Sequence, residues 1–229
     1  MNLIYIFVLF VLTVSSLVNS VRWSRIAQRE HYIPGYVGKF YFRWVKLIPF
    51  NNLYFLVTII FMVLSLWNPY TAILVAILTL LLPRGLSFDY RTSEVKQTER
   101  IKRLNIVYFI LISSISLASV WLEYGYFLAL LANVFSFFIY DQALKLTKNF
   151  EKNQSQNFVD KAEARLSAFT GPIISITGSY SKTTTKNTLK QILSTSNDIF
   201  VTPESYNNRL GIAKSINENF SSNNEIAII

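Results

Sequence analysis

The chain has no cysteine and a single histidine, His31, among 229 residues. Without thiols there is no disulfide framework and no thiolate metal site. One histidine leaves no His-based metal cluster and no Ser-His-Asp triad. Charge is scarce too: Asp, Glu, Lys and Arg make up 15% of the residues, where a soluble domain carries roughly 25%. Apolar residues reach 52%, with 18 Phe, 13 Tyr and 4 Trp, and the mean hydropathy is +0.33. An ordinary soluble domain over the whole length is excluded by this balance. The net charge of +9 is read as the basic excess that membrane proteins keep in cytoplasmic loops, and not as a nucleic-acid footprint.

The apolar residues concentrate in residues 1–142, in five runs at 3–18, 53–67, 71–82, 106–122 and 126–140. A spanning helix needs about 20 apolar residues. Residues 53–82 as one helix would run about 45 Å, against a hydrocarbon core of roughly 30 Å. Asn68-Pro69 in the middle is a turn signal, so this stretch is expected to be a tight helical hairpin. Residues 21–52 carry Arg22, Arg25, Arg29, Lys39, Arg43 and Lys46 against Glu30 alone, and 83–104 carry a second basic cluster. The turns at 68–70 and 123–125 hold no Lys or Arg. Basic loops stay in the cytoplasm. Five crossings with the N-terminus outside therefore place both basic loops, and everything after 140, inside. The first run lacks preceding positive charge, so it reads as an uncleaved anchor and not a signal peptide. Trp23, Trp44, Trp67 and Trp121 fall near the expected helix ends, where aromatic belts lie. The 21–52 loop, rich in aromatic and basic residues, reads as a segment lying at lipid headgroups, with a lipid-binding pocket as the alternative. His31 is taken as an interfacial polar residue.

Residues 143–229 change character. The stretch 145–156 is polar and reads as a linker. Phe158, Ala162, Leu166 and Phe169 recur at helical spacing and predict a short amphipathic helix over 155–169 with a packing face. Residues 172–177 look like a buried strand and 178–182 like a turn. Residues 183–193 look like a helix with Leu189, Ile192 and Leu193 inward. A strand at 199–202, a helix at 211–220 and a strand at 225–229 follow. Strands alternating with helices predict a parallel α/β sheet.

The turn carries phosphate chemistry. A strand, a Gly-started turn and Lys182-Thr183 at a helix start aim backbone N–H groups and the helix N-terminus at an anion. Lys182 would neutralise phosphate charge and the Thr183 hydroxyl would ligate Mg²⁺. The general pattern of glycines six and one residues before the lysine is not met, because Ile176 and Ser181 stand there. On that pattern alone, a Thr-rich helix cap is the alternative.

The run Ile176-Thr177-Gly178-Ser179-Tyr180-Ser181-Lys182-Thr183-Thr184-Thr185-Lys186 resembles the ATP loop of the Mur ligases, and most of all that of the D-alanyl-D-alanine-adding (MurF) type. Thr202-Pro203-Glu204-Ser205-Tyr206-Asn207-Asn208-Arg209-Leu210-Gly211 resembles the second loop of that type, in which Asn-Asn precedes a glycine. Ser181 departs from the family, which has Gly at this position. The resemblance covers residues 170–229. It implies an incomplete α/β P-loop domain of the Mur ligase central type (170–229), which the apolar pattern and helical spacing place after a multi-pass α-helical membrane region (1–142) and a linker with an amphipathic helix (143–169). It also implies ATP and Mg²⁺ as cofactors. The phosphate loop would be Gly178, Ser179, Tyr180, Ser181, Lys182, Thr183 and Thr184, with Lys182 catalytic and Thr183 on the metal. Asn207 and Asn208 would form a substrate loop. The implied activity is ATP-dependent amide-bond formation between a carboxylate, such as a cell-wall precursor, and an amine, at the cell membrane with membrane lipids as neighbours. The family's acidic Mg²⁺ ligand, modified lysine and C-terminal domain all follow the strand ending at Ile229. The resemblance therefore implies a fragment, inactive alone, of a longer ligase. A non-catalytic membrane protein with a vestigial nucleotide loop is the alternative from another class. A transporter is disfavoured, because the five runs carry no charge.

Overall fold

A computed structural model describes residues 3–86, 97–122, 125–203, 206 and 208–229. The chain divides into two compact units, Met1–Lys148 and Asn149–Ile229.

The first unit is helical. Helix α1 (Leu3–Arg29) and α5 (Glu99–Val120) are each long and apolar enough to cross a membrane, at about 40 Å and 33 Å from their residue counts. Helix α3 (Pro49–Leu64) and α4 (Thr71–Leu81) are shorter, at about 24 Å and 16 Å. They pack against each other across the expected Asn68-Pro69 turn. There the Asn68 side chain accepts from the Tyr70 N–H at 3.0 Å, and the Thr71 hydroxyl donates to the Asn68 carbonyl at 2.7 Å. Helix α2 (Tyr36–Leu47) meets α3 at a bend of 111°, and α6 (Gly125–Val134) meets α7 (Ser136–Ser167) at 78°. Each bent pair meets the combined requirement of length and apolar composition only when taken together, so two helices, or up to four spans, satisfy it among the described residues. Helix α4, over the expected run 71–82, covers about half the hydrocarbon thickness by itself. Residues 87–96, within the second basic loop, and Glu123-Tyr124 lie outside the described residues.

Two apolar clusters hold this unit together. Val8, Leu12, Ala72, Val75, Ala76, Ala129 and Leu130 join α1, α4 and α6, the alanines allowing close approach. Trp23, Tyr41, Phe137 and Tyr140 centre the second, where the Tyr41 and Phe137 rings stack at 4.2 Å. Trp23 is therefore core and not belt, whereas Trp67 and Trp121 stay 75% and 86% exposed at helix ends. Between the clusters runs a buried polar network that the sequence did not announce. The Asn133 amide donates to the Leu12 carbonyl and the Ser16 hydroxyl, both at 3.0 Å, and its oxygen accepts from Thr79 at 2.8 Å. Arg22, inside α1 and buried, donates to the Leu82 carbonyl at 2.7 Å and to Asn19 at 3.2 Å. The first apolar run thus extends into a helix that does carry charge. Its signal was the one-face spacing of Ser15, Asn19 and Arg22.

In the second unit, the C-terminal part of α7 packs Ala162, Val159 and Leu166 against Phe200, Ala213, Ile216 and Ala227. Residues 145–156, read as a linker, are helical: they belong to the 32-residue α7. Strands β1 (Ile173–Ile174), β2 (Ile199–Val201) and β3 (Ile226–Ile228) alternate with α8 (Lys182–Leu193) and α9 (Arg209–Asn219). They form a parallel sheet in the order β1-β3-β2, with Ala227 of the middle strand paired to Ile173 and Phe200.

The expected fold class, a multi-pass region followed by an α/β P-loop domain of the Mur ligase central type, is corrected by this architecture. Helices dominate the described residues, and the only sheet among them is three short strands. The strand expected over 172–177 shrinks to two residues, and Ile173 is 44% exposed, not buried. A parallel sheet needs apolar cover on both faces; the packing of α7 and α9 covers Phe200 and Ala227 but does not take in Ile173. Ile192, expected inward, points out at 61% exposure. Lys186 takes a buried position on that helix instead.

Candidate functional site

The loop between β1 and α8 is built from backbone conformations that few residues adopt. Gly178 has φ +155°, where a side chain is strained although its Cβ would meet only the Tyr180 carbonyl oxygen, at 3.6 Å. Ser181 has φ +60° and ψ +9°, the left-handed region favoured by glycine. The chain keeps the glycine-like geometry and places serine in it.

Ser181 is the N-cap residue of α8, yet its side chain makes no capping bond, and no acid lies in the first turn. The N–H groups of Lys182, Thr183 and Thr184 have no acceptor within the helix, as in any first turn. Thr185 N–H is the first to close a helical bond, to Ser181 O at 2.9 Å. The helix therefore begins with unclaimed donors and the positive end of its dipole. Lys182 turns back over the loop and its ammonium donates to the Gly178 carbonyl. Thr183 and Thr184 are exposed, and the Tyr180 ring stands 90% exposed.

Lys186, one turn further along α8, was read only as part of a motif. It is 7% exposed and donates to the Thr202 hydroxyl and the Pro203 carbonyl, both at 3.2 Å. The lysine thus ties α8 to the end of β2 and holds the helix start in place. The visible signal was a lysine on the same helix face as Leu189 and Leu193.

The second loop divides. Asn207 lies outside the described residues. Asn208 is the N-cap of α9, and its side-chain oxygen accepts from Gly211 N–H at 2.8 Å. A capping role explains Asn208 without a substrate. The loop thus brings Lys182, Thr183 and Thr184 together at one helix start.

The donor set suits an anion: three free N–H groups, an ammonium and two hydroxyls, with no Asp or Glu between 171 and 186. It fits a phosphate group. It fits a protein-held divalent cation poorly, because Thr183 Oγ1 is the sole hard oxygen assigned to one. Among the described residues no three His, Asp or Glu side chains cluster as metal ligands.

No family model matches this chain, and no curated protein and no solved structure matches it either.

Proposed function

We propose that the chain is the membrane-anchored part of an ATP-dependent, Mur-ligase-like enzyme that forms amide bonds in cell-wall precursor or related polymer synthesis. The observation that carries the reading is the uncapped, acid-free start of α8, with Lys182 at its first position and a glycine-like turn before it. That arrangement accepts the phosphates of a nucleotide. Gly178, Ser179, Tyr180 and Ser181 shape the turn, and Lys182, Thr183 and Thr184 present N–H groups and side chains to the anion. Lys182 would swing from the Gly178 carbonyl to a phosphate oxygen, exchanging a neutral acceptor for a charged one. ATP supplies the phosphoryl group that activates a carboxylate toward an amine. Mg²⁺ would arrive with the nucleotide and meet the Thr183 hydroxyl. The unit Met1–Lys148 would lie in the cell membrane as a multi-pass anchor, with residues 170–229 on the cytoplasmic side, a placement supported by the basic 21–52 segment.

A second reading, a non-catalytic membrane protein with a vestigial nucleotide loop, is favoured by Ser181 at φ +60°. A serine there strains the backbone that a working loop would leave to glycine.

One titration separates the two. The protein in detergent is titrated with a fluorescent ATP analogue, beside Lys182→Ala. Loss of a charge-assisted contact worth about 1.5–3 kcal/mol weakens binding roughly ten- to hundredfold. Equal Kd values for mutant and wild type would reject the loop assignment. No binding by a folded wild type would favour the second reading.

A further inference from the structure

Within the first unit, α2, the turn before it and the start of α7 enclose a groove of about 900 Å³. Its floor is Phe137 and Asp141, both buried, and its walls include Phe42, Leu47 and Phe138, all exposed. Lys39, Arg43 and Lys46 follow at spacings of four and three along α2, so they form one stripe. Lys145 adds a fourth cation from α7. The Lys39 ammonium sits 4.6 Å from the Tyr36 ring centre. Arg43, Lys46 and Lys145 make no ion pair among the described residues.

Asp141 does not cancel this charge in the ordinary way. Its carboxylate accepts from Gly35 N–H at 2.8 Å, Val37 N–H at 3.3 Å and Gly38 N–H at 2.8 Å. Both oxygens are thereby committed to the first turn of α2. Four cations thus face one carboxylate, which keeps the groove with its apolar walls net positive.

We propose that this groove binds one anionic phospholipid. Its hydrocarbon chain lies along Phe42, Leu47 and Phe138, and its phosphate is held by Arg43, Lys46 and Lys145. Apolar walls beneath a cationic rim complement an anion that carries a long chain, and an anion alone would use only the rim. The 111° bend between amphipathic α2 and apolar α3 suits a helix lying along a membrane surface beside one that enters it. The proposal rests on the membrane placement in the reading above and is independent of the nucleotide loop.

The test uses the full chain in detergent micelles with equal phosphatidylglycerol and phosphatidylcholine, and counts retained lipid by native mass spectrometry. Wild type should retain one phosphatidylglycerol in preference. Each Lys or Arg near an anionic lipid adds roughly fivefold in affinity. The triple variant Arg43→Gln, Lys46→Gln, Lys145→Gln should therefore lower the preference by tenfold or more. Leu47→Glu, at an exposed wall position, should lower it as well. A control that removes equal charge at exposed Lys152, Lys161 and Lys190 should leave it unchanged. An unaltered preference in the triple variant would overturn the proposal. An equal loss in the control would also overturn it, because the attraction would then be diffuse. Displacement of the lipid by inorganic phosphate would show an anion site that does not use the chain, and would overturn it too. Flotation with phosphatidylcholine vesicles checks the underlying placement separately. A chain that does not float fails as a membrane protein, whereas one that floats without lipid preference fails only at this groove.

Discussion

Ser181 offers a graded test of the loop, because its backbone geometry and its side chain disagree. At φ +60° an L-residue brings its Cβ close to the following carbonyl oxygen, at a cost of about 1–2 kcal/mol. Glycine has no Cβ but loses about 0.5–1 kcal/mol more backbone entropy on ordering. The Ser181 side chain makes no capping bond, so its removal forfeits nothing of that kind. Ser181→Gly should therefore stabilise the start of α8 by about 0–1.5 kcal/mol. Ser181→Asn should fall between Gly and Ser, because a short polar side chain can bond locally in this conformation. Ser181→Val should be worst, because a β-branched residue at positive φ is an outlier. Amide hydrogen exchange at Thr185 and the following amides of α8 reads these differences directly, as local opening free energies. Protection should rank Gly, Asn, Ser, Val from highest to lowest, and affinity for an ATP analogue should follow the same order. A Gly variant less protected than wild type would refute the strain argument. Tighter protection with weaker nucleotide binding would show that the Ser181 side chain is itself a ligand contact.

Lys186→Met should destabilise the second unit by about 1–3 kcal/mol, because the Thr202 hydroxyl and the Pro203 carbonyl lose a buried donor; urea unfolding followed by exchange at β2 measures it, and an unchanged midpoint would remove the proposed tie. Asn133→Leu severs three buried bonds, to Leu12, Ser16 and Thr79. At about 0.6 kcal/mol each in a membrane-embedded core, the loss of about 2 kcal/mol should lower the midpoint of thermal unfolding in detergent, and no change would mean that water or lipid replaces the network. The chain has no native cysteine, so single-cysteine labelling in intact cells reads topology cleanly. Trp67→Cys should label from outside and Lys152→Cys only after permeabilisation, and the opposite pattern would invert the proposed orientation.

Composition and local pattern carried much of this protein on their own. The apolar runs placed α1, α3, α4, α5 and α6, since a long apolar stretch has few other ways to satisfy its backbone, but not α2, which lies in the 21–52 segment. Asn68-Pro69 placed the α3–α4 turn, because the asparagine side chain can bond to the backbone two residues on. The alternation in 172–229 placed α8, α9, β2 and β3 to within a few residues.

Tertiary structure decided what local pattern could not encode. Residues 145–156 are polar enough to read as a linker, yet the helix through them continues into a part that buries Ala162 and Leu166 against Phe200 and Ile216. Packing energy is non-local and outweighs weak helix propensity. Lys186 reads as a motif lysine in the sequence, and only the arrival of β2 gives it two acceptors; likewise the capping bond of Asn208 exists only because α9 begins at the next residue. The same holds for Asn19, Arg22 and Asn133, which reveal a shared buried network only once α1, α4 and α6 meet. A strand over 172–177 was legible as a preference; its regular part is Ile173 and Ile174, and backbone bonds to the β3 segment run from the Pro172 carbonyl to the Ile176 N–H. The Ser181 backbone angle belongs to the same class: sequence shows which residue is present, but the turn linking β1 to α8 sets the φ it must adopt.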